Sequence, residues 1–209
     1  LLFEKSLKKL TGAKYVTLTS SGSTALHTVL SATKANNDCE ILIPNLNYIA
    51  SVNAVLTCKA IPHFIDTEKN SPGIDISKLE IYLNKIAKIK KNKCINIKTK
   101  KTIHSCIVLH PFGYPCDIER VKKLLKKWKI LLIEDTAEAL GSYYNSKHLG
   151  TFGHCSILSF NGNKIITTGG GGAILTSNRK FHKLVNHIST TAKIKHQYIF
   201  SHDQHGFNY

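Results

Sequence analysis

The sequence predicts an α/β protein, a mostly parallel sheet with helices on its faces, and three observations predict it. Segments with helical and strand-like character alternate along the 209 residues. The apolar runs are short, as buried strands are; Ile130-Leu-Leu-Ile133 and residues 103–109 are the clearest. Turn and cap residues, including Gly12, Pro44 and Asp117, fall between the segments rather than inside them.

In order, residues 3–10 read as an amphipathic helix closed by Gly12, and residues 15–18 as a short strand. The run Ser20-Ser-Gly-Ser-Thr24 caps a helix over about 25–35. Residues 40–43 form a strand ended by Pro44, 48–57 a helix, and 61–65 the next strand. Ser77 caps a helix running towards Ile89, followed by a lysine-rich loop. Residues 103–109 are a buried strand; Asp117 caps a helix to about Lys127, and 130–133 is the strand that delivers Asp135. Residues 157–160 and 173–176 flank a loop carrying Lys164, and a last helix begins near Asn178.

Composition narrows the function. The formal net charge of +16 raises nucleic-acid binding. Eight of the lysines fall within residues 85–101, however, with no interleaved aromatics to stack bases, so a solvated loop is the favoured reading. Attraction of anionic, phosphate-bearing substrates is a secondary consequence. The six cysteines form no Cys-x-x-Cys pair, which argues for reduced thiols in the cytoplasm and against zinc or a disulfide framework. His202 and His205 have ligand spacing but no further ligand cluster. No apolar run is long enough to span a bilayer. A chain that opens at Leu1 and contains no Met suggests an N-terminus lying upstream.

The chemistry concentrates in two places. Lys164 stands alone between Ser159-Phe160 and the glycines Gly169 to Gly172, and Asp135 closes a buried strand in Ile-Glu-Asp-Thr-Ala-Glu138. An isolated lysine on a glycine-flanked loop and an acid at a strand end are what a pyridoxal 5′-phosphate site needs. The lysine forms the Schiff base, and the carboxylate keeps the pyridine nitrogen protonated. Other residues read two ways. Gly22, Ser23 and Thr24 make a phosphate cradle at a helix start, or a simple cap. Tyr48 stacks on a planar ring, or belongs to the core. Ser159 donates to a phosphate, or is a strand-end hydroxyl; the glycines admit a cofactor, or make a flexible turn.

Taken together, Ser-Gly-Ser-Thr-Ala-Leu, Pro-Asn-Leu-Asn-Tyr-Ile-Ala-Ser-Val-Asn-Ala-Val, His-Pro-Phe-Gly, Glu-Asp-Thr-Ala-Glu-Ala-Leu-Gly and the lysine loop resemble the DegT/StrS family of nucleotide-sugar aminotransferases. The resemblance runs through essentially the whole chain. It implies a three-layer sandwich, the aspartate-aminotransferase-like large domain, over residues 1–209, with the small C-terminal domain absent. It also implies roles: Lys164 as the Schiff-base lysine, Asp135 on the pyridine nitrogen, Tyr48 on the ring, and Glu138 near the 3-hydroxyl. Gly22, Ser23, Thr24 and Ser159 would serve the phosphate, and Asn208 the phosphate of a partner subunit in a homodimer.

Glu138 and Gly170 stand where many relatives carry Gln and Glu. With Asn-Gly-Asn before Lys164 and the basic insertion, they resemble the branch that aminates UDP-linked 4-keto-6-deoxy-N-acetylhexosamines. The expected function is transfer of an amino group, with glutamate as donor, to such a sugar in the cytoplasm, without nucleic acid, membrane or metal. The alternative is a non-catalytic remnant that binds cofactor or a partner.

Overall fold

The structure, a computed structural model, describes residues 2–69, 71–194, 196 and 198–209. The chain runs through α1 (Leu2–Thr11), β1 (Tyr15–Thr19), α2 (Gly22–Ala32), β2 (Cys39–Pro44), α3 (Ile49–Thr57), β3 (Ile61–Ile65) and α4 (Ile76–Ile86). Then come β4 (Ala87–Lys90), β5 (Lys93–Asn96), β6 (Thr102–Leu109), α5 (Ile118–Lys127), β7 (Leu131–Asp135), β8 (Tyr143–Tyr144) and β9 (Lys147–His148). The described chain ends with β10 (Cys155–Ser159), β11 (Gly172–Thr176), α6 (Arg179–Ser189) and a coiled tail.

The main sheet has the order β1-β11-β10-β7-β6-β2-β3. From β10 to β3 every neighbouring pair is parallel, while β11 runs antiparallel to both β10 and β1. Side-chain alternation sorts the helices onto two faces. Leu42, Cys106, Val108 and Leu132 pack with residues of α4 and α5. Their sequence neighbours Ile41, Ile43, Ile107 and Ile133 pack with α2, α3 and α6. Helix α1 covers the far end through Leu7, against Leu158 and Leu175. Strands buried on both faces explain why β2 and β11 are apolar at nearly every position.

Most predicted boundaries lie within a few residues of the observed ones, and the departures have local causes. Helix α2 starts at Gly22, earlier than the sequence suggests, because Ser21 and Thr24 form a capping box. Asp75, not Ser77, caps α4, accepting from the Lys78 amide at 2.9 Å. The helix ends at Ile86, where the segment expected to be a lysine-rich loop folds instead as the antiparallel hairpin β4–β5. Its two-residue turn, Lys91-Asn92, has φ of 48° and 60°, the handedness that matches strand twist. Cys94 and Asn96 point inward while the lysines face water.

Asn96 also ties the hairpin to the sheet. Its Nδ2 donates to Glu40 Oε2 at 2.9 Å, Thr99 Oγ1 donates to Oε1, and the His63 ring lies 2.9 Å from Oε2. Glu40 is 2% exposed, so these partners are what make a carboxylate tolerable there. The network sits at the start of β2, away from the cavity described next.

Candidate active site

The parallel strands all end on one side, and a cavity of about 480 Å³ opens there, where open α/β sheets place their ligands. Its wall draws on the turns after β2, β6, β7 and β10 and on the first residues of α2.

Asp135, the last residue of β7, is 3% exposed in this cavity. Ser51 of α3 donates its hydroxyl to Oδ2 at 3.0 Å, and the Ala137 amide donates to Oδ1 at 3.2 Å. Burial pushes the carboxyl above its usual range, against the pull of those two bonds and of the Lys164 and His110 charges. A fixed carboxylate that is costly to ionise is a receptor for a cation.

The preceding residue, Glu134, points to the other side of the sheet and is fully buried. It accepts from the amides of Gly150 (2.8 Å), Phe152 (2.8 Å) and Gly153 (2.6 Å), which pins the end of β7 to the loop leading into β10.

Lys164 reaches the same cavity from the loop between β10 and β11. Its side chain is 12% exposed, with Nζ 3.2 Å from Glu138 Oε1 and 5.7 Å from the centre of the Tyr48 ring. Glu138 uses its other oxygen to accept from the Phe112 amide at 2.9 Å. Burial opposes ionisation of Glu138, yet the Phe112 amide and the Lys164 ammonium hold its carboxyl below the usual range. Tyr48, at 66% exposure, is no core residue; it stands at the mouth as the N-cap of α3.

The phosphate end is built by close packing. A Cβ on Gly22 would lie 2.9 Å from Ser159 Cβ, so the start of α2 and the end of β10 meet only because that residue is glycine. This places the Gly22 and Ser23 amides, at the positive end of an eleven-residue helix, beside the Ser159 hydroxyl on the cavity wall. Thr24 does not line the cavity; its hydroxyl accepts from the Ser21 amide at 3.0 Å within the cap. Asn208 is exposed in the tail, pairs with Thr190 across an isolated bridge, and also lies off the wall.

These residues fit pyridoxal 5′-phosphate: a buried carboxylate awaiting a cation, a lysine beside an exposed ring, and a helix start with an adjacent hydroxyl where a side chain would block approach. The sequence reading missed two residues. Ser51 lies one helical turn beyond Tyr48, a spacing that could have marked it. Phe112 sits at φ 54° and 82% exposure on the rim, and nothing in a Pro-Phe-Gly turn signals its bond to Glu138.

The DegT/DnrJ/EryC1/StrS aminotransferase family matches residues 1–209. The GDP-perosamine synthase of Escherichia coli O157:H7 is 35% identical over 207 residues, covering 99% of this chain and 52% of that protein. Among solved structures, Helicobacter pylori PseC, an aminotransferase involved in pseudoaminic acid biosynthesis, superposes with a TM-score of 0.83 at 27% identity, covering 100% of this chain and 52% of that one. A DegT DnrJ EryC1 StrS aminotransferase from Brucella abortus has the same fold, with a TM-score of 0.88 at 23% identity over 99% of this chain and 53% of that one. The chain spans about half the length of the curated relatives it matches.

Proposed function

The chain belongs to the DegT/DnrJ/EryC1/StrS aminotransferase family, and from that premise we propose that it binds pyridoxal 5′-phosphate and transfers an amino group from glutamate to a nucleotide-linked keto sugar. The observation that carries this reading is Lys164 Nζ, 3.2 Å from Glu138, in the same cavity as the buried Asp135. Residues 1–209 would form the cofactor domain of a homodimer, with Asn208 serving the partner's phosphate. No helix among the described residues is long and apolar enough to cross a membrane, and a cytoplasmic, metal-free enzyme is the setting proposed.

Bound pyridoxal 5′-phosphate supplies an electron sink for the pair left when a proton departs the substrate carbon. The chain's residues do the rest. Asp135 would hold a positive charge at the pyridine nitrogen, and Ser51 fixes the carboxylate that would do so. Lys164 would be the covalent anchor, and its Nζ, once displaced by the incoming amine, would take and return the substrate proton. Glu138 would orient Nζ, Tyr48 would cover the ring, and Gly22, Ser23 and Ser159 would receive the phosphate.

The finer reading places a UDP-linked 4-keto-6-deoxy-N-acetylhexosamine in the site, on the strength of Glu138 and Gly170. The curated relatives named for GDP-perosamine make the base of the nucleotide the point to test. Purified protein incubated with pyridoxal 5′-phosphate should acquire a visible band that borohydride fixes to the chain; Lys164→Ala should acquire none. A folded wild type with no band, or a mutant that retains a reducible one, overturns the proposal. GDP- and UDP-keto sugars tried in parallel then decide the substrate.

A further inference from the structure

His110 Nδ1 is a buried nitrogen without a hydrogen-bond partner among the described residues, and it belongs to the residue beside the strand end that carries Asp135. The His110 side chain is fully buried just past β6. Its Nε2 lies 3.4 Å from Glu134 Oε2, which leaves Nδ1 unpaired whichever nitrogen carries the proton. An apolar side chain of similar shape would spare the fold that cost. A histidine here therefore needs a reason outside core packing.

Its place in the chain supplies one. The His110 amide donates to the Asp135 carbonyl at 3.2 Å, which extends the pairing of β6 with β7 one step past the strands. The chain then turns through Pro111, Phe112 and Gly113, and the Gly113 amide returns to the His110 carbonyl at 3.2 Å. Phe112 has a φ of 54°, a region bulky residues rarely adopt, and its ring is exposed, so packing does not hold it there. What this strained residue contributes is its amide. It donates to Glu138 Oε2 at 2.9 Å, while Oε1 of the same carboxylate stands 3.2 Å from Lys164 Nζ.

We infer that His110 is a positioning residue: its ring, held against Glu134, fixes the strained turn, and the Phe112 amide of that turn sets Glu138 and, through it, Lys164 Nζ. The inference rests on the function proposed above and adds to it a residue that does not line the cavity. Glu134 is a firm anchor for the ring, because the Gly150, Phe152 and Gly153 amides already hold its carboxylate at 2.8, 2.8 and 2.6 Å. One buried carboxylate thereby ties down the ends of both β6 and β7, from which the turn and Asp135 reach the cavity.

The test compares wild type with His110→Gln and His110→Phe. Glutamine can bring an amide nitrogen to the place of Nε2, whereas phenylalanine keeps the ring and loses the donor. In the unloaded protein, NMR hydrogen exchange should show the Phe112 amide at least about tenfold less protected in His110→Phe, and within about twofold of wild type in His110→Gln. In the cofactor-loaded enzyme, kcat of the glutamate half-reaction should fall at least about tenfold in His110→Phe at nearly constant KM, with His110→Gln restoring it. Where His110→Phe does not fold, His110→Asn, whose shorter amide cannot reach Glu134, is read in the same way. Phe112 protection and kcat unaltered by loss of the donor would overturn the inference. So would a loss of protection shared equally by the core amides, or a His110→Gln that restores neither reading, since both make His110 a packing residue. Failure of the parent reading is separate: it shows in wild type as absence of the reducible band, and the exchange measurement on unloaded protein does not depend on it.

Discussion

Gly172→Ala, at the start of β11, and Gly170→Ala, two residues earlier in the loop, should have opposite effects on stability. A Cβ on Gly172 meets only backbone: the Ser21 carbonyl carbon and oxygen at 2.5 Å and the Gly22 amide nitrogen at 2.7 Å, when ordinary contact begins near 3.4 Å. Neither side can yield cheaply. Strand β11 is paired along its length with β1 on one edge and β10 on the other, and the Ser21-Gly22 peptide starts α2 inside its capping box. Overpacking costs about 1–3 kcal/mol when side chains can adjust, and backbone on both sides puts this variant at the upper end, near 3 kcal/mol. With a urea slope of about 2 kcal/mol/M, the unfolding midpoint should drop by about 1–1.5 M at fixed protein concentration. Gly170→Ala meets nothing and should leave the midpoint unchanged, or raise it by about 0.2–0.5 M through the lost freedom of the unfolded chain. Gly172→Ala should also weaken cofactor retention, because the amides it displaces are those of the phosphate end. A Gly172→Ala midpoint within about 0.3 M of wild type would refute the reasoning, since it would mean that the strand and helix are not held as described.

Two further outcomes follow from buried carboxylates with opposite signs. Burial raises the Asp135 carboxyl against the Ala137 amide and Ser51 hydroxyl, so the charged form destabilises the unloaded fold and stability falls as pH rises through the folded value. Asp135→Asn should therefore leave unloaded stability at pH 8 unchanged or higher in urea titration while abolishing cofactor retention; a loss of more than about 1 kcal/mol would make the carboxylate a structural anchor instead. At Glu40 burial works against the charge, but Thr99, Asn96 and His63 hold the carboxyl below 4.5, so its contribution is present above that value and lost as pH falls through the folded one. Glu40→Gln should cost about 1–3 kcal/mol at pH 7, and the difference should shrink in urea melts as the pH is lowered through the folded value; a difference that stays constant as the pH falls would assign the effect to packing.

How much of this was legible in the sequence depends on where each signal is encoded. Strand and helix positions could be read because burial on both faces leaves short apolar runs, and because Asp117 and Asn178 cap the helices that follow them. The hairpin β4–β5 could not, because its inward residues are a Cys and an Asn and its turn is Lys-Asn, which lacks the usual glycine. At the site, Asp135 and Lys164 stood out as charges in apolar or glycine-rich surroundings. Ser51 stayed hidden, as a buried hydroxyl whose partner lies 84 residues away. Thr24 shows the opposite limit: a hydroxyl at a helix start reads equally as ligand or cap, and here the cap holds it.

The two kinds of residue also divide by depth, and that division bears on function. Asp135 and Gly22 belong to strand ends and a helix start whose positions the core dictates, and changing them disturbs packing or a buried charge. Phe112, Tyr48, Asn161 and Gly170 are exposed on loops around the mouth, where a change costs the fold little. On the function proposed above, the carboxylate and phosphate contacts therefore rest on positions the fold fixes, while Tyr48 and the rim residues stand on positions the fold leaves free. Asp135 links the two levels. Its carboxylate is hard to ionise in the unloaded protein, so a cationic ligand that reaches it relieves a cost the fold already carries, and binding and stability rise together.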